Sequence, residues 1–131
     1  MAIPTIGIKK TLRGNGIVPR IPFEEIARAV LGERYELSLV ICGDDLARKM
    51  NKAYRKKTYA PNVLSFPLSK TEGEIFLNVR KAEREARAYG MPVRERLAYL
   101  YIHGCFHLRG LDHGDRMERE EARIMKRFKL V

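Results

Sequence analysis

The sequence predicts an α+β fold, a mixed sheet of about four strands backed by about five helices. Three observations lead there. Apolar residues recur at helical spacing, as in Phe23, Ile26, Ala27, Val30 and Leu31. Short runs of β-formers lie between such segments, as in Tyr35 to Ile41. No repeat, low-complexity tract or linker divides the 131 residues, so 1–131 reads as a single domain with a real core.

The elements follow in order. Thr5 to Lys10 reads as a short strand, and Gly14-Asn15-Gly16 as a turn or loop. Pro22 suits a helix start, and that helix runs to Gly32. Tyr35 to Ile41 is a strand ending at Gly43. Asp44 has the side chain of a helix cap and opens a helix through Tyr54. Asn62 to Phe66 reads as a strand stopped by Pro67. Glu74 to Asn78 is another strand, preceded by a turn at Gly73. A helix from Val79 to Tyr89 ends at Gly90, and Pro92 opens the next. That next helix carries the apolar stripe Val93, Leu97, Leu100, Tyr101, Gly104 and Leu108. Asp115 to Phe128 is a last amphipathic helix, turning Met117, Ala122, Ile124, Met125 and Phe128 to the core.

Composition narrows the function classes. The chain has 26 Lys and Arg against 16 Asp and Glu, a net charge of +10. That balance favours a polyanionic partner, most simply nucleic acid. The opening Met1 to Gly7 lacks the charged and apolar regions of a signal peptide. The densest apolar run, Leu97 to Ile102, is far too short to span a membrane. A cytoplasmic protein is expected. Cys42 and Cys105 fit a reducing compartment.

All three histidines of the chain, His103, His107 and His113, fall in one short run. The first two are at i and i+4, about 40° apart around a helix. Gly110 can end that helix in a left-handed conformation and let His113 return. The metal site is therefore expected on a helix and the loop after it. Three imidazoles leave a tetrahedral zinc with an open fourth position, as catalytic sites do. Cys105 lies about 200° around the helix from His103 and should face away from the metal. The spacing equals that of the long zincin protease motif, in which Glu follows the first histidine as general base. Here that position is Gly104, so the protease loses its base while the tripod survives.

A second constellation, Asn51-Lys52-Ala53-Tyr54-Arg55-Lys56-Lys57, ends a helix with a basic cluster. Cations there also suit the helix dipole. Beside an open zinc site a guanidinium does more: it binds phosphate with two prongs and stabilises charge that builds on it.

Both stretches resemble the YbeY family of bacterial rRNA maturation endoribonucleases. The family signature H-G-x-L-H-L-x-G-(Y/H)-D-H is met by HGCFHLRGLDH, from His103 to His113. The block LNxxYRxKDxPT(D/N)VLSFP looks like MNKAYRKKTYAPNVLSFP, from Met50 to Pro67, and the G-D-(I/L) strand is matched by Gly73-Glu74-Ile75. The resemblance runs from Asp44 to Met125. It implies one zinc ion per chain on His103, His107 and His113, and a catalytic Arg55 in the cleft beside it. It also implies action on single-stranded rRNA, in maturation of the small ribosomal subunit and in ribosome quality control. The small subunit or its proteins are then partners. Lys52, Lys56 and Lys57 are expected to contact RNA, and Asp112 to support the neighbouring His113 from behind. Phe106 stands where the pattern has Leu, Leu111 where it has an aromatic or His, and Thr58 where it has Asp.

The competing reading is a ribosome assembly factor that binds RNA or ribosomal protein around a structural zinc. The open tripod favours the enzyme. With a net charge of +10, RNA binding should release counterions. Titrations at low and moderate salt should show affinity falling steeply; a flat response would remove the polyanionic partner.

Overall fold

The structure is a computed structural model and describes residues 6–10 and 18–131. Its elements are β1 (Gly7–Lys10), α1 (Phe23–Leu31), β2 (Glu36–Cys42), α2 (Asp44–Arg55), β3 (Val63–Pro67), β4 (Glu72–Asn78), α3 (Val79–Tyr89), α4 (Val93–Arg109) and α5 (Asp115–Arg127). The sheet order is β1-β2-β4-β3. β2 is parallel to both β1 and β4, whereas β3 runs antiparallel to β4. The mixed sheet with helices is the α+β class expected. The expected start of the first strand at Thr5 and the turn at Gly14-Asn15-Gly16 lie outside the described residues.

Two-residue periodicity sorts β2 between two cores. Leu37, Leu39 and Ile41 join the larger cluster with Ile75, Leu77, Leu97, Phe106 and Ile124. Val40 and Cys42 point the other way, to a small cluster with Ala47, Leu64 and Phe76 beneath α2. The larger cluster is organised by α4. From Leu97 to Phe106 every residue of α4 except Tyr99 and His103 is buried. A helix buried this far round must be apolar this far round, which is why its sequence shows more than one stripe.

Three local expectations change. Gly73 is no turn: it sits in β4 opposite Leu37. A Cβ there would meet the Tyr35 hydroxyl and Leu108, so this glycine serves a close approach. Pro67 does not stop β3 but ends it, paired with Gly73. Because β3 is an edge strand, its missing N–H costs no interior ladder bond. Asp44 is not the cap of α2, which is Gly43.

The Asp44 carboxylate works across elements instead. It takes both prongs of Arg84, at 2.8 and 2.9 Å, and a bond from Asn78 Nδ2 at 3.0 Å. Asn78 is fully buried and caps α3 by accepting from the Lys81 N–H at 3.1 Å. It also donates to the Pro61 carbonyl at 3.0 Å. One side chain thus joins the start of α2, the start of α3 and the loop before β3. The Arg84 guanidinium, against the cost of partial burial, holds the Asp44 carboxyl down to about 2. The ordinary aspartate value is about 3.9, so the pair contributes above it and loses its contribution as pH falls from about 4 toward 2. Arg84 is half exposed, so solvent screening limits the pair to on the order of 1 kcal/mol. Asp44→Asn should therefore unfold at lower denaturant than wild type at pH 6, and the gap should narrow by pH 2.5. An unchanged gap would separate this ion pair from stability.

Candidate metal centre

Residues four apart on α4 share a face, and His103 and His107 meet there with their Nε2 atoms 3.0 Å apart. Gly110 ends the helix at φ 101°, as its place in the sequence suggests. The N–H groups of Gly110 and Leu111 bond back to the carbonyls of His107 and Phe106 at 3.0 Å each. This closure satisfies the last carbonyls and reverses the chain. His113 returns to the pair, its ring centroid 5.0 Å from His103 and 4.6 Å from His107. One ligand atom from each ring lies within 4.8 Å of the others, an arrangement that can hold a metal ion.

The donor set fits zinc. Two nitrogens on a tetrahedral zinc sit about 3.3 Å apart, close to the separation of the two Nε2 atoms. His103 Nδ1 lies 2.6 Å from Oε2 of Glu121 on α5. In the tautomer whose Nδ1–H donates to that carboxylate, the ring presents a lone pair at Nε2. Burial, reinforced by the neighbouring imidazoles, lowers the pKa of both His103 and His107. Both rings are thus kept neutral, the form a metal takes. Burial also raises the Glu121 pKa.

The rings open on a cavity of about 310 Å³. Arg55, Asn62, Val63, Arg96, Tyr99 and Leu100 complete its wall. Arg55 is the last residue of α2, and Lys56 turns the chain away in the left-handed conformation at φ 57°. The Arg96 guanidinium bonds Glu85 at 3.0 Å and lies over the rings of Tyr89 and Tyr99, at 5.0 and 5.2 Å. Tyr99 stacks on His103 with ring centroids 5.9 Å apart. A larger hollow of about 710 Å³ between α4 and α5 shares Arg96 and Tyr99 but holds no histidine.

A family model described as Endoribonuclease YbeY matches residues 20–129. The chain belongs to this family. It is 39% identical over 110 residues to the endoribonuclease YbeY of Thiobacillus denitrificans, covering 76% of this chain and 75% of that one. Against the Aquifex aeolicus YbeY the identity is 38% over 104 residues, covering 74% and 69%. Against that of Pseudomonas entomophila it is 37% over 100 residues, covering 70% of this chain and 64% of the relative. The solution structure of a Thermotoga maritima protein superposes with a TM-score of 0.68 at 20% identity, over 95% of this chain and 92% of that one. At that identity the likeness is one of fold.

Of the residues singled out in this YbeY-family sequence, the structure brings His103, His107, His113 and Arg55 to one cavity. Lys52, Lys56 and Lys57 are exposed on the segment that carries Arg55. Asp112 is exposed, and among the described residues the carboxylate that touches a ring of the cluster is Glu121. Glu121 was legible in principle. It sits four residues after Met117 and three before Ile124, on the apolar face of α5, where a charged side chain needs a partner. The place given to Ala122 on that face belongs to Glu121, and Ala122 is exposed. Arg96 and Tyr99 also carried a signal, preceding His103 by seven and four residues and so sharing its face.

His103→Ala and His107→Ala should each abolish stoichiometric zinc by elemental analysis. Full zinc in either would sink the tripod. Glu121→Gln should keep the fold and lower metal affinity about 10–100-fold in chelator competition. Unchanged affinity would leave Glu121 a packing residue.

Proposed function

We propose that this protein is a zinc-dependent endoribonuclease that cuts single-stranded RNA during maturation of the small-subunit rRNA and in ribosome quality control. The observation that carries this reading is a single cavity walled by three converging imidazoles and an arginine, in a chain of the YbeY family. The net charge of +10 supports an RNA partner. Among the described residues no helix is long and apolar enough to cross a membrane.

The residues divide the labour. His103, His107 and His113 would hold the ion, with Glu121 fixing the tautomer of His103. The bound metal supplies Lewis acidity toward a phosphoryl oxygen and makes a water acidic near neutral pH. Arg55 receives the scissile phosphate with two N–H groups and stabilises the charge that builds in the transition state. The described cavity wall contains no carboxylate, and the residue after His103 is Gly104. Among the described residues, the cavity wall therefore offers no acidic general base of the metalloprotease kind. Tyr99 stacks on the face of His103 and shields that side of the cluster.

Arg55→Lys keeps the charge but loses the fork. Removing one donor of this kind costs about 2.7–4 kcal/mol of transition-state stabilisation, or a rate drop of roughly a hundredfold or more. Cleavage of single-stranded RNA should fall that far, with part of the RNA binding retained and zinc content unchanged. Chelation should abolish cleavage by the wild type. Unimpaired cleavage by Arg55→Lys would return the cluster to a solvated basic face. Binding without metal-dependent cleavage by the wild type would favour the assembly-factor reading.

A further inference from the structure

Arg55 and Asn62 both line the metal cavity, so the segment 56–61 leaves its wall and comes back to it. This loop is held from behind. Asn51, fully buried, donates to the Tyr59 carbonyl at 3.0 Å. Lys81 donates to the Ala60 carbonyl at 2.9 Å and Asn78 to that of Pro61 at 3.0 Å. The Asn78 N–H bonds the Asn62 carbonyl at 2.9 Å. The backbone is fixed, yet Lys56, Lys57, Thr58 and Tyr59 all face solvent. Among the described residues, Lys56 and Lys57 make no ion pair.

Tyr59 is the unusual member. It is 52% exposed, and the Lys81 ammonium lies 5.6 Å from its ring centroid. Tyr54 is more exposed, but its ring leans on Phe66 at 5.2 Å and so covers the small core. Tyr89 carries the Arg96 guanidinium at the cavity. Among the described residues Tyr59 packs on no other aromatic ring; the Lys81 ammonium stands over one side of its ring, and half of the residue is exposed. A loop fixed at both ends to the wall of the metal cavity thus holds a half-exposed aromatic ring, with a cation over one side, next in sequence to two cations that make no ion pair. Unpaired bases stack on such faces, and unpaired cations bind the phosphates between them.

We propose that Tyr59 is a stacking platform for an unpaired base next to the phosphate held by Arg55, with Lys56 and Lys57 on the flanking phosphates. The proposal rests on the reading that this cleft takes single-stranded RNA. It gives a physical source for single-strand preference, because a base within a duplex has no free face to offer.

The test compares two strands of equal length and charge, an uncleavable 2′-O-methyl oligouridylate and an abasic strand. Tyr59→Ala should weaken binding of the oligouridylate about fivefold to tenfold, as loss of one stacking contact does. It should leave the abasic strand unchanged, and Tyr59→Phe should restore wild-type affinity. Lys57→Ala should weaken both strands alike. Because the chain has no tryptophan, Tyr59→Trp supplies a lone fluorophore whose emission should be quenched by the oligouridylate and not by the abasic strand. Zinc content and melting temperature should match wild type throughout. Equal losses on both strands, or no loss on either, would overturn the stacking role. Wild-type protein that binds neither strand would bring down the RNA reading itself. Wild-type protein that cleaves RNA, with Tyr59→Ala binding RNA normally, would overturn only the platform.

Discussion

The approach of α4 to the sheet at Gly104 is the constraint on which the rest of the molecule depends. A Cβ at this position would lie 2.9 Å from Ser65 Oγ and 3.2 to 3.3 Å from Ile75 and Val63. The Ser65 hydroxyl already donates to the Gly104 carbonyl at 3.1 Å. The helix therefore rests on β3 and β4 with no side chain between. One residue either side of that contact, His103 and Cys105 diverge. Cys105 is fully buried, and burial pushes its thiol up to about 12, an inert apolar filler. His103 emerges at the edge of the same surface. The glycine that removes a protease base is thus the residue that lets the helix dock, and a glutamate would have no room there.

A second support joins the two walls of the cavity. Asn62 Nδ2 bonds the Glu85 carboxylate at 3.2 Å, and Glu85 also pairs with Arg96 at 3.0 Å. Asn62 belongs to the segment leading from Arg55, and Arg96 to the helix of the histidines. Glu85 on α3 spans them. Both side chains of the Glu85–Arg96 pair are less than a fifth exposed, so water weakens it less than a surface pair. With Asn78 and Lys81 holding the preceding loop, α3 carries no cavity-lining side chain yet fixes the distance between those that do.

What the sequence made legible follows from how local each signal was. The tripod needed only helical spacing and a glycine, both contained between His103 and His113. The helices were readable from periodicity, and the parallel core strands from short apolar runs. The misplaced details are non-local. Nothing near Gly73 reports that Tyr35 and Leu108 crowd it from distant elements. Asp44 carries the side chain of a cap, but an arginine forty residues away claims it. Lys56 ends α2 in a left-handed conformation without the glycine that usually announces one. Glu121 was hidden differently. Its periodicity marked it, but reading the apolar face for hydrophobes alone passed over the buried charge.

The placement of the acids gives the site its chemical bias. Glu121 sits behind His103 on the core side, and Glu85 beside Arg96 away from the rings. The face open to a ligand presents imidazoles, two guanidiniums and a neutral asparagine. A carboxylate general base on that face would attract the metal into extra ligation and repel a phosphodiester. Moving each carboxylate one layer back keeps its orienting effect and removes that repulsion. A peptide carbonyl, which is neutral, gains little from such a surface, whereas a phosphodiester carries its charge into it. The same arrangement that keeps carboxylates off this face leaves it positively charged, which supports the proposed nucleic-acid backbone as its ligand.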